Sequence, residues 1–242
     1  MIIILATILC DIKSNILFKY LISIFLISFI SLLLIAQPDI GQTLLVIFCW
    51  AVLIFTSGIN IYILLAIFIA GASLLTYLII YVPRFDYIQG RIFSFFNRET
   101  GTHNFQSDKA IESITSGGFF GKGIGEGVLK NRVPEAHTDY IISVISEEFG
   151  VVAIMLILLL FLILIYMVFK KISFETNDKV KLILIGSISL ILMQATIHIG
   201  VNIRLFPTTG MTLPFLSYGG SSIISTSILG GIILNLTKRK IT

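Results

Sequence analysis

Long runs without a charged residue alternate with short polar stretches along the chain. They cover residues 20–38, 40–83, 150–169, 182–203 and 205–237. A helix rises 1.5 Å per residue and the hydrocarbon core of a bilayer is about 30 Å thick, so about 20 residues make one crossing. These runs therefore predict membrane-spanning helices.

Two of the runs are too long for a single crossing over their whole length. The run 40–83 is long enough to cross twice, and the polar stretch at residues 57–60 predicts the turn, giving spans near 41–57 and 60–82. The last run contains Pro207 and Pro214, so only residues 218–236 are expected to cross. The pattern predicts an all-α polytopic membrane protein with about six full transmembrane helices, in a single membrane domain over residues 1–242.

The apolar stretch 1–10 is about half the length of a crossing. A signal peptide is disfavoured because no basic segment precedes the stretch and no small-residue cleavage site follows it. We expect a partial helix whose beginning lies upstream of this chain.

Composition excludes a soluble globular enzyme. The chain is 56% hydrophobic and 12% charged, against roughly 25% charged in an ordinary soluble domain. The segments at residues 11–19, 170–181 and 238–240 share one predicted side and carry a net charge of +6, whereas the other side carries −2. The positive-inside rule places these segments, with the C-terminus, in the cytoplasm and the loop 83–149 outside. The positive net charge thus reflects topology, and no nucleic-acid partner is expected.

The predicted outer loop, residues 83–149, carries more than half of the 30 charges. Its glycine-rich stretch 116–127 differs from a phosphate-binding P-loop, because no Ser or Thr follows Lys122. The stretch is consistent with a re-entrant or substrate-facing loop, or with a plain flexible loop.

A helix is predicted from Pro134, with Glu135, Asp139, Ser143 and Glu147 in one polar stripe. Such a helix would present Asp139 to water beside the bilayer, although a solvated amphipathic helix explains the same residues. His137 with Asp139 and Glu135 could bind a divalent cation, but the chain has too few histidines and cysteines for a dedicated zinc site.

The segment 202–222 combines prolines and glycines with apolar residues between two predicted spans. This composition predicts non-helical, re-entrant-like backbone before the last helix, which is tolerated at membrane depth only in a protein interior or along a wet cavity. The segment is either a pocket wall or a packed connector.

The motifs together resemble the shape, elongation, division and sporulation (SEDS) family. The resemblance rests on Ser-Gly-Gly-Phe-Phe-Gly-Lys-Gly at 116–123, Pro-Glu-Ala-His-Thr-Asp at 134–139, Glu-Glu-Phe-Gly at 147–150 and Leu-Pro-Phe-Leu-Ser-Tyr-Gly-Gly-Ser-Ser at 213–222. It covers nearly the whole chain, and the motifs are more similar to the division member than to the elongation member.

The resemblance implies a peptidoglycan glycosyltransferase that polymerises lipid II in the bacterial inner membrane. It implies a class B penicillin-binding protein and other divisome membrane proteins as partners, and Mg²⁺ or Mn²⁺ as a possible cofactor. The essential aspartate of the family corresponds to Asp139, as general base or metal ligand. The substrate-binding candidates are Lys130, Arg132, Glu135, His137, Ser217 and Tyr218, and Arg204 is a further candidate for the pyrophosphate.

Two alternatives remain beside polymerisation. A lipid II flippase is one, although the spans carry no formal charge and the polar constellation is at the outer surface. The second follows from the ten spans usual in the family, of which the first three and part of the fourth would be absent. On this hypothesis the chain alone is an inactive fragment or a scaffold of the division machinery.

Overall fold

The computed structural model describes residues 1–11, 16–96, 102–127 and 135–238. The regular structure in these ranges is helical. The elements are α1 (Ile2–Asp11), α2 (Ile16–Ala36), α3 (Ile40–Thr56), α4 (Ile61–Tyr81), a 3₁₀ turn (Pro83–Phe85), α5 (Asp86–Phe96), α6 (Thr102–Gly117), α7 (Ile141–Phe174), α8 (Asp178–Asn202) and α9 (Gly220–Thr237).

The six predicted spans are all helices. Five of them, α2, α4, α7, α8 and α9, are long and apolar enough to cross a membrane. The sixth, α3, is a shorter apolar helix of 17 residues. The ten residues of α1 match the predicted partial helix. The chain is therefore a multi-pass membrane protein, as predicted.

The turns around α3 follow from local chemistry. The Asp39 carboxylate accepts the N–H of Gln42 at 2.9 Å, which caps the beginning of α3. After α3, Gly58 adopts a φ of +90°, in the left-handed region that a turn requires here. The predicted turn between the second and third spans is confirmed.

The chain packs as two compact units, each assembled from distant segments. The first contains residues 1–60, 158–195 and 219–242, within which the structure describes all but 12–15 and 239–242. Its core is an apolar cluster of Val168, Leu184, Ile188, Ile191 and Ile233. Gly186 of α8 packs tightly against Ile2 and Leu53, because a Cβ there would lie 2.8 and 3.0 Å from their side chains. The single membrane domain remains a prediction.

The second unit contains residues 61–157 and 196–218. It holds α4 to α6, the first part of α7, the last turns of α8, and most of the segment after α8, residues 203–219, which we call the connector. The connector is non-helical between the end of α8 at Asn202 and the beginning of α9 at Gly220. This confirms the backbone predicted before the last helix.

The helix predicted from Pro134 is wrong in its bounds and in its polar face. Pro134 lies outside the described residues, and residues 135–140 form a turn, because Glu135 has a φ of +55° that interrupts helical geometry. The helix begins at Ile141. Ser143 and Glu147 are fully buried, so they form no aqueous stripe with Asp139.

Candidate functional site

Asp139 lies in a tight turn that immediately precedes α7, formed by residues 135–140 and called here the Asp139 turn. The carbonyl oxygen of Glu135 accepts the N–H groups of Thr138, Asp139 and Tyr140 at 3.1, 3.1 and 3.3 Å. The Glu135 carboxylate also accepts the Thr138 hydroxyl at 2.9 Å. The turn therefore has a defined backbone, which fixes the direction in which Asp139 leaves it.

The connector is hydrogen-bonded to this turn at its C-terminal end. The buried hydroxyl of Ser217 donates to the Thr138 carbonyl at 2.7 Å and accepts the N–H of Leu213 at 2.7 Å. The N–H of Tyr218 donates to the His137 carbonyl at 3.0 Å. One of these contacts lies within the connector, and the other two join it to the residues directly before Asp139.

The end of α8 holds the turn from the other direction. The buried amide nitrogen of Asn202 donates to the carbonyl of Asp139 at 3.0 Å and to that of His198 at 2.9 Å. His198 Nδ1 lies 2.7 Å from the Met211 carbonyl, so this nitrogen carries the proton and donates it. Two side chains one helical turn apart therefore position the turn and the connector together.

Asp139 faces a cavity of about 210 Å³, which we call the Asp139 cavity. Gly210 contributes open space, because a Cβ built there would meet only Asp139 Oδ2, at 3.5 Å. Gly210 also has a φ of +70°, which favours glycine. The cavity is lined by Arg91, Gln106, Asp139, Tyr140, Val201, Thr208, Gly210 and Met211.

The Asp139 cavity favours protonation of its carboxyl group. Burial raises the pKa of Asp139 above its ordinary value, and the negative charge of Glu135 raises it further, while the positive charge of Arg91 opposes both. Burial also raises the pKa of the neighbouring Tyr140 phenol. A carboxylate whose pKa is moved upward toward neutrality is a stronger base, and it is suited to accept a proton from a bound hydroxyl group.

The candidates from sequence fall into three groups. Lys130 and Arg132 lie outside the described residues. Glu135, His137 and the Tyr218 side chain are exposed near Asp139, whereas Ser217 is buried. Their substrate-binding role remains a prediction, although the Ser217 hydroxyl is engaged by backbone groups. Arg204 forms an ion pair with Asp108 of α6.

Sequence reasoning missed Arg91, Gln106 and Asn202. Arg91 and Asn202 are far from Asp139 in sequence, and no short motif links them to it. The available signal for Asn202 was a polar side chain at the end of an apolar helix, where a partner is required. For Arg91, the available signal in the sequence was its position in the charged loop.

A metal centre built from protein side chains alone is not found in the described part of the chain. There, no group of three or more His, Cys, Asp or Glu side chains lies close enough to hold a metal ion. The described carboxylates of the site are Asp139 and Glu135. A magnesium-like ion is often bound by only one or two carboxylates, with water and substrate phosphates as its other ligands, and Asp139 would supply such a carboxylate from the cavity.

A second carboxylate lies near the beginning of α7, within the same compact unit. Glu147 is fully buried, with Lys122 Nζ at 3.0 Å and the Ser113 hydroxyl at 3.1 Å. We call these three residues the Glu147 clamp. The clamp joins α6 and α7 to residues 117–127, called here the glycine loop.

The glycine loop packs on α7 where Gly150 kinks the helix, with φ 75° and ψ −173°. The N–H groups of Lys122 and Gly123 donate to the carbonyls of Glu147 and Glu148 at 2.9 and 3.0 Å. At Gly121 a Cβ would lie 2.1 Å from the Glu148 carbonyl oxygen. The loop glycines at 117 and 121 therefore permit close backbone approach to α7.

Comparison with known proteins identifies relatives over nearly the whole chain. The family model described as cell cycle protein, for FtsW, RodA and SpoVE, matches residues 1–241. The chain is 36% identical over 223 residues to the probable peptidoglycan glycosyltransferase FtsW of Caulobacter vibrioides, covering 89% of this chain and 55% of that protein. The chain spans about half the length of the curated relatives it matches.

Two solved structures share the fold. One is a peptidoglycan synthase complex in which polymerization and crosslinking are coordinated, with 26% identity, a TM-score of 0.77, and coverage of 98% of this chain and 67% of that chain. The other is a variant of the rod shape determining protein RodA of Thermus thermophilus, with 27% identity, a TM-score of 0.63, and coverage of 98% and 62%.

Proposed function

Because the chain belongs to the family of the cell cycle proteins FtsW, RodA and SpoVE, we propose that it is a peptidoglycan glycosyltransferase that polymerises lipid II during septal cell-wall synthesis. The observation that carries this proposal is the Asp139 cavity, which is lined by both an arginine and a carboxylate with a raised pKa. The curated relatives named FtsW support the division role over elongation.

Glycosyl transfer requires a base for the attacking hydroxyl group. In the proposed reaction a sugar hydroxyl oxygen forms a bond to the anomeric carbon of a second lipid II, and its proton moves to the Asp139 carboxylate. The bond between that carbon and the diphosphate breaks, and the electron pair leaves with the phosphate oxygen. A positioned general base typically accelerates such a step by about 10² to 10⁴-fold.

The surrounding residues keep the base in place. Asn202 holds the Asp139 carbonyl, and the connector is bonded to Thr138 and His137 through Ser217 and Tyr218. The carboxylate therefore needs little reorganisation when the hydroxyl group arrives, which lowers the barrier of the proton transfer.

A divalent cation, Mg²⁺ or Mn²⁺, is part of the proposal. Asp139 and Glu135 are the described carboxylates that would hold it, together with diphosphate oxygens of the substrate. When bound, such an ion would neutralise charge on the departing diphosphate.

We also propose the setting in which the chain works. The solved relative that coordinates polymerization with crosslinking supports a class B penicillin-binding protein as partner. The proposed division role implies other membrane proteins of the divisome as further partners. The distribution of basic residues supports a bacterial inner-membrane location with a cytoplasmic C-terminus and the segment 83–149 outside.

The test is polymerisation of fluorescent lipid II in proteoliposomes that contain the chain with its penicillin-binding partner. We expect glycan strands from the parent chain and a loss of about 10² to 10⁴-fold in the Asp139→Asn variant, with no decrease in its unfolding temperature. Undiminished polymerisation by the variant would overturn the role of Asp139.

The same preparation tests the alternatives. A parent chain that forms no glycan strands in the presence of the partner would contradict the proposed activity and favour an inactive fragment or scaffold. Movement of labelled lipid II across the bilayer without strand formation, measured by dithionite quenching, would favour a flippase.

A further inference from the structure

We propose that Arg91 is a catalytic residue of the Asp139 cavity that binds the diphosphate of the lipid-linked sugar donor. This inference rests on the proposed function and extends it, because it assigns the group that meets the leaving group. The ligand class is a sugar joined to a lipid through a diphosphate.

The position of Arg91 is fixed from outside its own helix. Arg91 belongs to α5, and its Nη1 donates to the Thr208 carbonyl in the connector at 3.2 Å. A guanidinium group has five N–H donors in a rigid planar fork. Among the described residues the bond to Thr208 is the one that holds the group, and it leaves most of these donors for a ligand. Arg91 and Asp139 both line the cavity.

The charge of Arg91 has no ion partner among the described residues, in contrast to three other cations of the same compact unit. Lys122 is paired with Glu147, Arg204 with Asp108, and Lys109 with Glu112. Within the described ranges, no carboxylate oxygen lies within 4.0 Å of the Arg91 guanidinium. Its charge influences Asp139 without a direct ion pair. A half-buried cation with free donors, in a cavity, is a site for an anion.

The reaction requires a cation at this place. As the bond to the diphosphate breaks, negative charge grows on the phosphate oxygen, and Asp139 in the same cavity would repel it. The planar fork of arginine matches two phosphate oxygens at once, which a lysine cannot do. Asp139 thus receives the proton of the attacking hydroxyl, while Arg91 receives the charge of the leaving group.

Binding of undecaprenyl diphosphate to the full chain in nanodiscs tests this assignment without turnover. We expect Arg91→Gln to weaken the affinity by about tenfold or more, and Arg91→Lys to weaken it less, because the lysine keeps charge but loses the fork. The affinity for undecaprenyl monophosphate should fall less in Arg91→Gln than the affinity for the diphosphate. Lys109→Gln, which removes a positive charge from α6 outside the cavity, is the matched control and should bind like the parent.

Asp139→Asn separates this inference from the proposed function. That variant should lose polymerisation. In EDTA, where no divalent cation can join Asp139 to the diphosphate, it should bind the diphosphate at least as tightly as the parent, since a repelling charge is removed. Unchanged diphosphate affinity in Arg91→Gln, or no affinity in the parent, would overturn the inference while leaving the role of Asp139 intact. Loss of affinity in Arg91→Gln with an active Asp139→Asn would instead overturn the role of Asp139 and keep the anion site. A parent chain that binds the diphosphate but forms no glycan strands would overturn the proposed function alone.

A folding defect is distinguished by thermal unfolding of each variant. The Thr208 carbonyl is only half-buried, so water can replace the bond that Arg91→Gln removes, and we expect a small change in unfolding temperature. If Arg91→Gln and Arg91→Lys both lose affinity in proportion to lost folded protein, Arg91 only positions the connector and the inference is wrong.

Discussion

Asp139 and Glu147 are two carboxylates near the beginning of α7, and they differ in almost every physical respect. Asp139 is half-buried, faces a cavity, and has an arginine nearby without an ion pair. Glu147 is fully buried and is paired with Lys122 and Ser113. The first is accessible to a ligand, whereas the second is already satisfied by protein groups.

The difference separates a chemical role from a structural one. A buried charge is tolerated when ion pairs and hydrogen bonds replace its water, and the Glu147 clamp supplies both. A catalytic carboxylate must instead keep its oxygens open to substrate, which leaves it with a shifted pKa. The following predictions test whether the clamp supports only the fold and Asp139 supports the reaction.

The largest effect is expected where the glycine loop meets α7. Gly121→Ala should prevent stable folding, because its Cβ would overlap the Glu148 carbonyl, which is backbone and cannot move aside cheaply. The measurement is the yield and unfolding temperature of the variant in detergent.

Gly118→Ala is the matched control, since Gly118 also has a positive φ, of +59°, but no atom lies within 4 Å of its Cβ. It should lose only about 1–2 kcal/mol from backbone strain. Equal losses in the two variants would show that strain, and not close packing on α7, explains the glycine at 121.

The next effect concerns the clamp itself. Glu147→Gln should lower the stability of the folded chain by about 1–3 kcal/mol, because Lys122 loses its ion partner and Ser113 keeps only a neutral one. Lys122 remains partly exposed, so water can compensate part of the loss. The expected readout is a lower unfolding temperature with an unchanged polymerisation rate per folded molecule.

Glu126→Gln, at an exposed position of the glycine loop, is the control and should change neither quantity. A rate per folded molecule that falls in Glu147→Gln as far as in Asp139→Asn would contradict the division between the two carboxylates.

The fold was largely predictable because hydropathy acts locally. A run of about 20 apolar residues is sufficient evidence for a span. α4 and α9 each lie inside such a run, and α2 lies inside one except for its first turn. The beginning of α7 was not predictable from this signal. Before it, Glu135 has a positive φ and the Asp139 carbonyl is held by Asn202, and neither feature leaves a hydropathy signal.

The site was predictable only in part, for the same reason. Asp139 was identified through a resemblance of motifs, but its cavity is made by residues from α5, α6, α8 and the connector. The connection of Asn202 to the Asp139 carbonyl spans 63 positions in the chain, and helical periodicity carries no information at that distance. Ser217 looked like a ligand contact and instead accepts and donates backbone hydrogen bonds.

The smallest effect is expected from Glu135, and it concerns pH. A general base acts as the carboxylate, so the polymerisation rate should fall as pH drops through the pKa of Asp139. Burial raises that pKa, Glu135 adds to the rise and Arg91 opposes it. Glu135→Gln should therefore move the acid limb of the rate profile to lower pH, whereas Arg91→Gln should move it to higher pH. The expected shift for Glu135 is small because its carboxylate is exposed and screened by water.

Stability should show the matching dependence on pH, with the sign set by the raised pKa. Protonated Asp139 contributes stability that is fully present below the unfolded pKa and is lost as pH rises through the folded pKa.

Salt separates the two causes that raise the pKa of Asp139. At 1 M salt the Debye length is about 3 Å, which should remove the contribution of the exposed Glu135 and leave the contribution of burial. An acid limb that keeps its position in both Glu135→Gln and Arg91→Gln would assign the limb to a group other than Asp139. The contrast between the accessible Asp139 and the paired Glu147 would then not separate a catalytic carboxylate from a structural one.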